Sequence, residues 1–193
     1  MKIAIIDYGA GNIKSIQFAL QRLGYKGILT SDVKEIKLAD KVIFPGVGEA
    51  SSAMQKLRDS GLDNLIPTLT QPVLGICLGM QLLCNGTEEG TTKGIGIFNI
   101  DVIKFSSQVK VPQIGWNTIS NLKTGLFSEI SENEFMYTVN SFFAPLCDNT
   151  IAETDYNGNY SAALKKDNFY GVQFHPEKSG NSGEKILENF LKL

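Results

Sequence analysis

Pro72-Val-Leu-Gly-Ile-Cys-Leu-Gly-Met-Gln-Leu-Leu83 begins as an apolar strand, passes through Gly75-Ile-Cys77-Leu-Gly79, and restarts at once with helical spacing. That is the layout of a nucleophile elbow. A sharp strand-to-helix turn lifts the central side chain clear of the sheet edge, and glycines two residues to either side let crossing backbones approach where a Cβ would collide. A thiol in that position faces the positive end of the helix macrodipole, a setting that suits nucleophilic cysteine. Ile76 and Leu78 would equally suit a buried structural cysteine, but such a residue needs no glycines at those spacings.

Outward from the elbow, the first half of the chain reads as β-α units. Residues 2–7, Gly27–Thr30, 41–44 and 73–76 are short β-rich runs, separated by helical periodicity at Ile13, Ile16, Leu20 and Leu23 and again over 51–60. Asn12 is placed to cap the first helix and Gly24 to end it. Past the elbow, residues 95–98, 101–105, 135–140, 151–154, 162–165 and 169–174 are strand-like runs with turn residues between them, which predicts antiparallel additions to the sheet. Ile186, Leu187, Phe190 and Leu191 form the apolar stripe of a closing helix. The expected fold is α/β, a three-layer sandwich with a mainly parallel central sheet plus antiparallel additions. It forms a single domain over 1–193, with the active site at the carboxyl ends of the parallel strands.

Bulk properties exclude several functions. The 193 residues carry a formal charge of −2, with 42% hydrophobic and 20% charged positions and no Lys/Arg cluster, which argues against nucleic acid. Residues 1–7 are too short an apolar stretch for a signal peptide or a membrane span, so the expected location is cytoplasmic, with no membrane partner. Cys77 and Cys84 fall on one predicted helix, roughly 10 Å apart by helical rise and too far for a disulfide. One histidine and three scattered cysteines give no zinc spacing, so neither metal nor cofactor is expected.

Three further motifs bear on chemistry. Asp7-Tyr-Gly-Ala-Gly-Asn-Ile-Lys14 opens like a dinucleotide-binding loop, with Asp32 near the place of a ribose-binding acid. The third glycine is replaced by Lys14, so a tight strand-to-helix loop is the better reading. Pro45-Gly-Val-Gly48 follows a strand, and its glycines free backbone N–H groups to face a developing oxyanion. Gln173-Phe-His-Pro-Glu177 ends an apolar strand. In extended chain His175 and Glu177 point to the same side, so the carboxylate can orient the chain's one imidazole. Glu88 and Glu89 could contact a substrate ammonium or simply be solvated. Trp116, the only tryptophan, lies in a glycine-containing loop and suits either core or interface.

Together these motifs resemble the class I, Cys-His-Glu glutamine amidotransferases over essentially the whole chain. Within that class Asp7-Tyr-Gly-Ala-Gly-Asn12 with Ser15, Pro45-Gly-Val-Gly48 with Ala53-Met54, Gly75 to Gln81, Gly115-Trp-Asn117 and His175-Pro-Glu-Lys-Ser179 are similar to the glutaminase subunits of histidine biosynthesis. The resemblance implies that Cys77 attacks the side-chain amide of glutamine, His175 moves the protons and Glu177 orients it. Leu78, Val47 and Gly48 supply oxyanion N–H groups, and Gly46, Gln81, Glu89 and Ser141 line the glutamine pocket. It further implies a heterodimer with a cyclase/synthase subunit of (β/α)8 fold that receives the ammonia and acts on a phosphoribosyl-bearing precursor. Asn12, Trp116, Asn117, Tyr137 and Lys178 match positions toward that partner. Where the family commonly carries Pro-His-x-Gly-Trp-Asn and Val-His-Ser-Tyr-Tyr, this chain has Gln113 and Asn140 in place of the two histidines. Other readings stay open: a paralogous glutaminase feeding surface-sugar biosynthesis, a stand-alone cysteine hydrolase, and a non-catalytic interaction subunit, which the intact triad disfavours.

Overall fold

Successive residues of the first strand face opposite ways. In the computed structural model, which describes residues 1–193, Ile3 and Ile5 join one buried cluster while Ala4 and Ile6 join another. The chain runs β1 (Ile3–Ile6), α1 (Ile13–Arg22), β2 (Gly27–Thr30), α2 (Val33–Lys37), β3 (Lys41–Gly46), α3 (Ala50–Asp59), α4 (Leu62–Leu65), β4 (Val73–Cys77) and α5 (Leu78–Leu82). It continues with β5 (Cys84–Thr87), β6 (Thr92–Lys93), β7 (Phe98–Lys104), β8 (Gln113–Ile119), β9 (Glu134–Asn140) and β10 (Phe142–Phe143). The last elements are β11 (Thr150–Asp155), β12 (Asn159–Lys166), β13 (Phe169–Val172) and α6 (Gly180–Lys192).

The central sheet has seven strands in the order β11-β12-β13-β4-β3-β1-β2. From β13 to β2 every neighbouring pair is parallel, and β11 and β12 continue the sheet antiparallel. A cluster of 26 buried residues fills one side of the sheet, with side chains from α2, α3, α4 and α5, and one of 24 fills the other, with α1 and α6. This is the α/β sandwich expected from the sequence. No helix is long and apolar enough to cross a membrane.

Several local expectations change. Only β11 and β12 are antiparallel additions to the main sheet; β5, β6, β7 and β10 form a four-stranded sheet, and β8 and β9 a separate two-stranded ribbon. The helix after the elbow stops at Leu82, so Cys84 opens β5 instead of lying on that helix. Residues 95–97 are not strand, because β7 begins at Phe98. The Trp116 segment is the middle of β8, not a loop. Asp32 caps α2, its Oδ1 accepting from the N–H groups of Lys34 at 2.8 Å and Glu35 at 2.9 Å. Asn12 precedes α1 without a side-chain cap bond and accepts from Ser15 Oγ instead.

Candidate active site

Cys77 ends β4 and starts α5 with φ 54° and ψ −113°. For a residue with a Cβ this conformation costs of order 1–3 kcal/mol and persists only where its surroundings impose it. Three glycines impose it here. A Cβ on Gly79 would lie 2.0 Å from the Phe44 carbonyl oxygen, one on Gly75 2.9 Å from Met80 N, and one on Gly46 2.4 Å from Gly79 N. The first turn of α5 therefore rests directly on β3. Gly46 is paired with Cys77 in the β3–β4 ladder and faces that turn, so it forms the bed of the elbow and is not part of the cavity wall.

His175 follows β13 and is tied to the ribbon. Its N–H donates to Tyr137 O at 2.8 Å, and Ser179 Oγ donates to the His175 carbonyl while accepting from Tyr137 N. Nδ1 of His175 lies 2.9 Å from Glu177 Oε1, with the two side chains only 5% and 1% exposed. The contact spans a single 3-10 turn at Pro176–Lys178, not the extended chain the sequence implied. Burial alone would lower the imidazole pKa. Hydrogen bonds from the ring to Cys77 and Glu177, with the attraction of both groups, outweigh it and push the value up to about 10. The second oxygen, Glu177 Oε2, is buried without a partner.

A cavity of about 340 Å³ opens over Cys77 and His175. Nine sequence-predicted residues line it: Cys77, Leu78, His175, Val47, Gly48, Gln81, Glu89, Ser141 and Lys178. Val47 and Gly48 are exposed, Gly48 at φ +94°, and their N–H groups donate to no protein acceptor, which leaves them free for an oxyanion. Glu89 is half-buried and accepts from Ala50 N at 2.9 Å; burial raises its pKa against the opposing effect of that bond. Glu88 is exposed and takes Lys104 N instead. Gln81 Nε2 donates to Phe142 O at 2.9 Å and to Gln173 Oε1 at 2.8 Å, and Gln173 Nε2 reaches Cys77 Sγ at 3.8 Å. The thiol itself points to Val139 O, 3.7 Å away. No three His, Cys, Asp or Glu side chains converge as a metal-binding group.

The expected partner-facing residues separate into two groups. Trp116 and Tyr137 are cross-strand neighbours with rings 6.0 Å apart in an edge-on arrangement, and Lys178 Nζ lies 5.9 Å from the Tyr137 ring. Asn117 is on the other face of β8, where Nδ2 donates to Asp155 O. Asn12 is partly buried in the loop before α1. Sequence reading missed Ile114 and Phe135, which share the exposed face of the ribbon with Trp116 at 62%, 55% and 55% exposure. The signal for Ile114 was the period-2 alternation of 113–119, lost by taking that run for a loop, and without it the strand at 135–140 had no partner to place Phe135 beside. Pro112, Val139 and Phe142 were not assigned to the cavity, yet they line it, and Asn140 lies in its wall with them.

Residues 4–193 match the family profile described as Glutamine amidotransferase class-I. The chain is 56% identical over 196 residues to a Bacteroides fragilis protein named imidazole glycerol phosphate synthase subunit HisH, covering 100% of both. A protein of the same name from Bacteroides thetaiotaomicron is 55% identical over 196 residues, again with 100% of both covered. A crystal structure described as a glutamine amidotransferase superposes with TM-score 0.77 at 14% identity, covering 100% of this chain and 98% of the other, a likeness of fold.

Proposed function

Because this chain belongs to the class-I glutamine amidotransferase family, we infer that it hydrolyses glutamine as the glutaminase subunit of an imidazole glycerol phosphate synthase, in histidine biosynthesis. The observation that carries the chemistry is the imidazole of His175, held through Nδ1 by Glu177 at 2.9 Å and lining, together with Cys77, one cavity of about 340 Å³.

In this reading Cys77 thiolate attacks the side-chain carbonyl carbon of glutamine. The tetrahedral oxyanion is held by the N–H of Leu78 and those of Val47 and Gly48. His175, protonated at rest, gives its proton to the departing ammonia, leaving a thioester on Cys77. It then takes a proton from water, whose attack releases glutamate and frees the thiol. Glu177 holds the ring through Nδ1, so that Nε2 serves the reaction. Glu89 receives the substrate ammonium, and Gln81 and Ser141 complete the pocket.

The ammonia passes to a synthase subunit of (β/α)8 fold in a cytoplasmic heterodimer, docked on the outer face of the β8–β9 ribbon. Ile114, Trp116 and Phe135 are exposed together there, and large aromatic and apolar side chains are what interface centres use. Gln113 and Asn140 are both buried on the inner side of that ribbon, so the departures from the family pattern leave the outer face unaltered. Glutamine hydrolysis should be slow for the isolated chain and rise strongly with the cognate synthase and its acceptor substrate. A chain that turns over glutamine at full rate alone and copurifies with no synthase would overturn the reading.

A further inference from the structure

Gln113 and Asn140 are the opposed residues at one end of the β8–β9 ladder, and both are buried. Asn140 Oδ1 accepts from Thr138 Oγ1 at 3.2 Å, and its Nδ2 donates to the Phe142 carbonyl at 2.9 Å. Gln113 Oε1 accepts from the Tyr160 hydroxyl at 2.8 Å, which ties the ladder partner of Asn140 to β12. The Phe142 carbonyl takes a second donor, Gln81 Nε2, whose other hydrogen meets Gln173; Gln173 in turn donates to Cys77 Sγ. An unbroken series of hydrogen bonds thus leads from the inner face of the ribbon to the nucleophile. Its buried members are amides and hydroxyls, and such a network fixes geometry only while every member is satisfied.

We propose that Asn140 is a positioning residue for glutamine hydrolysis: with Gln113 and Tyr160 it fixes the Phe142 carbonyl, and through Gln81 and Gln173 it sets where the Cys77 thiol points. This rests on the glutaminase reading above. Without the Asn140 donor the Phe142 carbonyl keeps a single partner, the 140–142 turn relaxes, and Gln81 and Gln173 move with it. Gln81 and Ser141 of the pocket shift with that turn, but Glu89, which receives the ammonium, and the Val47–Gly48 segment take no part in the series, so substrate capture is affected less than attack. A misplacement of about 1 Å at a nucleophile costs on the order of a hundredfold in rate.

The test uses the full chain in complex with its synthase, comparing wild type, Asn140→Leu and Asn140→His by kcat and KM for glutamine. Leucine keeps the volume and removes the donor; histidine restores an N–H that can reach the Phe142 carbonyl. Asn140→Leu should lower kcat about 30-fold with KM changed less than about threefold, and Asn140→His should return kcat to within about fivefold of wild type. A kcat within twofold of wild type for Asn140→Leu, a loss confined to KM, or identical behaviour of the two variants overturns the proposal. Should Asn140→Leu fail to fold or to bind the synthase, Tyr160→Phe removes the hydroxyl that holds Gln113, the ladder partner of Asn140. It should lower kcat about fivefold, and an unchanged kcat overturns the proposal. A wild-type complex inert toward glutamine would overturn the glutaminase reading itself, whereas an active wild type with a fully active Asn140→Leu removes only the positioning role.

Discussion

A methyl group on Gly79 would sit 2.0 Å from the Phe44 carbonyl oxygen, whereas one on Gly115 would meet nothing within 4 Å. Gly79 belongs to the elbow and Gly115 to the ribbon, and both segments wall the same cavity, the elbow through Cys77, Leu78 and Gln81 and the ribbon through Val139 and Asn140 of β9. At the elbow, β3, β4 and α5 touch backbone to backbone, and Cys77 is held at a positive φ with no slack around it. The ribbon of β8 and β9 pairs only with itself, and apart from the Ser120–Glu153 bridge no ladder joins it to the main sheet. It is held from behind by side chains such as Gln113, Asn117 and Asn140. Its front is open and apolar. The nucleophile is thus built into a crossing of close backbone contacts, while the opposite wall is the one a partner could adjust.

The largest effect should come from breaking the elbow's chemistry without its packing. Cys77→Ala keeps the backbone requirement and removes the sulfur, and synthase-stimulated glutamine hydrolysis should fall more than about a thousandfold while the complex still assembles. Retained ammonia production would show that another group is the nucleophile. Next comes the packing itself. Gly79→Ala should destabilise the chain by about 3 kcal/mol or more, or prevent soluble expression, because the carbonyl it strikes is fixed in β3. Gly115→Ala should cost only about 1 kcal/mol, the strain of a side chain at φ +140° in open space. Comparable denaturation midpoints for the two variants would remove the contrast on which this comparison stands.

The same contrast explains what the sequence made legible. The elbow announces itself because close backbone approach leaves a local trace: glycines at fixed spacing around Cys77, after an apolar strand. The parallel half was readable for a similar reason, since each β-α unit carries its own periodicity. The ribbon left a weaker trace. Four of its inner residues, Gln113, Asn117, Thr138 and Asn140, are polar beside the buried Ile119 and Met136, while Ile114, Trp116 and Phe135 on the outside are apolar, which blurs the usual sense of burial. The pattern of 113–119 therefore looked like a loop with a stray tryptophan. The His175–Glu177 pair was recognised, although the 3-10 turn that makes it was not, because i and i+2 meet by more than one backbone route. The link from Asn140 to Cys77 could not be read at all, since it depends on the Phe142 carbonyl, and a carbonyl has no residue type.

Trp116→Ala tests the open side of the comparison. Truncating an exposed aromatic at an interface centre typically costs about 2 kcal/mol, so affinity for the synthase should fall about 30-fold. The isolated chain's thermal stability should change little, since Trp116 is more than half exposed. If affinity is unchanged in a titration with the synthase, the ribbon's outer face is not the docking surface.

The smallest effect is expected where the two regions meet. His175 hangs from the ribbon by its N–H to Tyr137 O, while its ring faces the elbow and Glu177. Its pKa is raised from an ordinary 6.5 to about 10, so the folded protein keeps a proton that the unfolded chain releases. The stability this gives is fully present below about pH 6.5 and is lost as pH rises through about 10. Glu177→Gln removes one of the two groups that raise the value, so the decline between pH 6.5 and 9 should be shallower than in wild type, by about 1 kcal/mol. Urea unfolding at several pH values reads the difference directly, because groups common to both proteins cancel. Parallel curves would mean that Cys77 alone holds the imidazole charged, and that the link between ribbon and elbow runs through the thiol without the carboxylate.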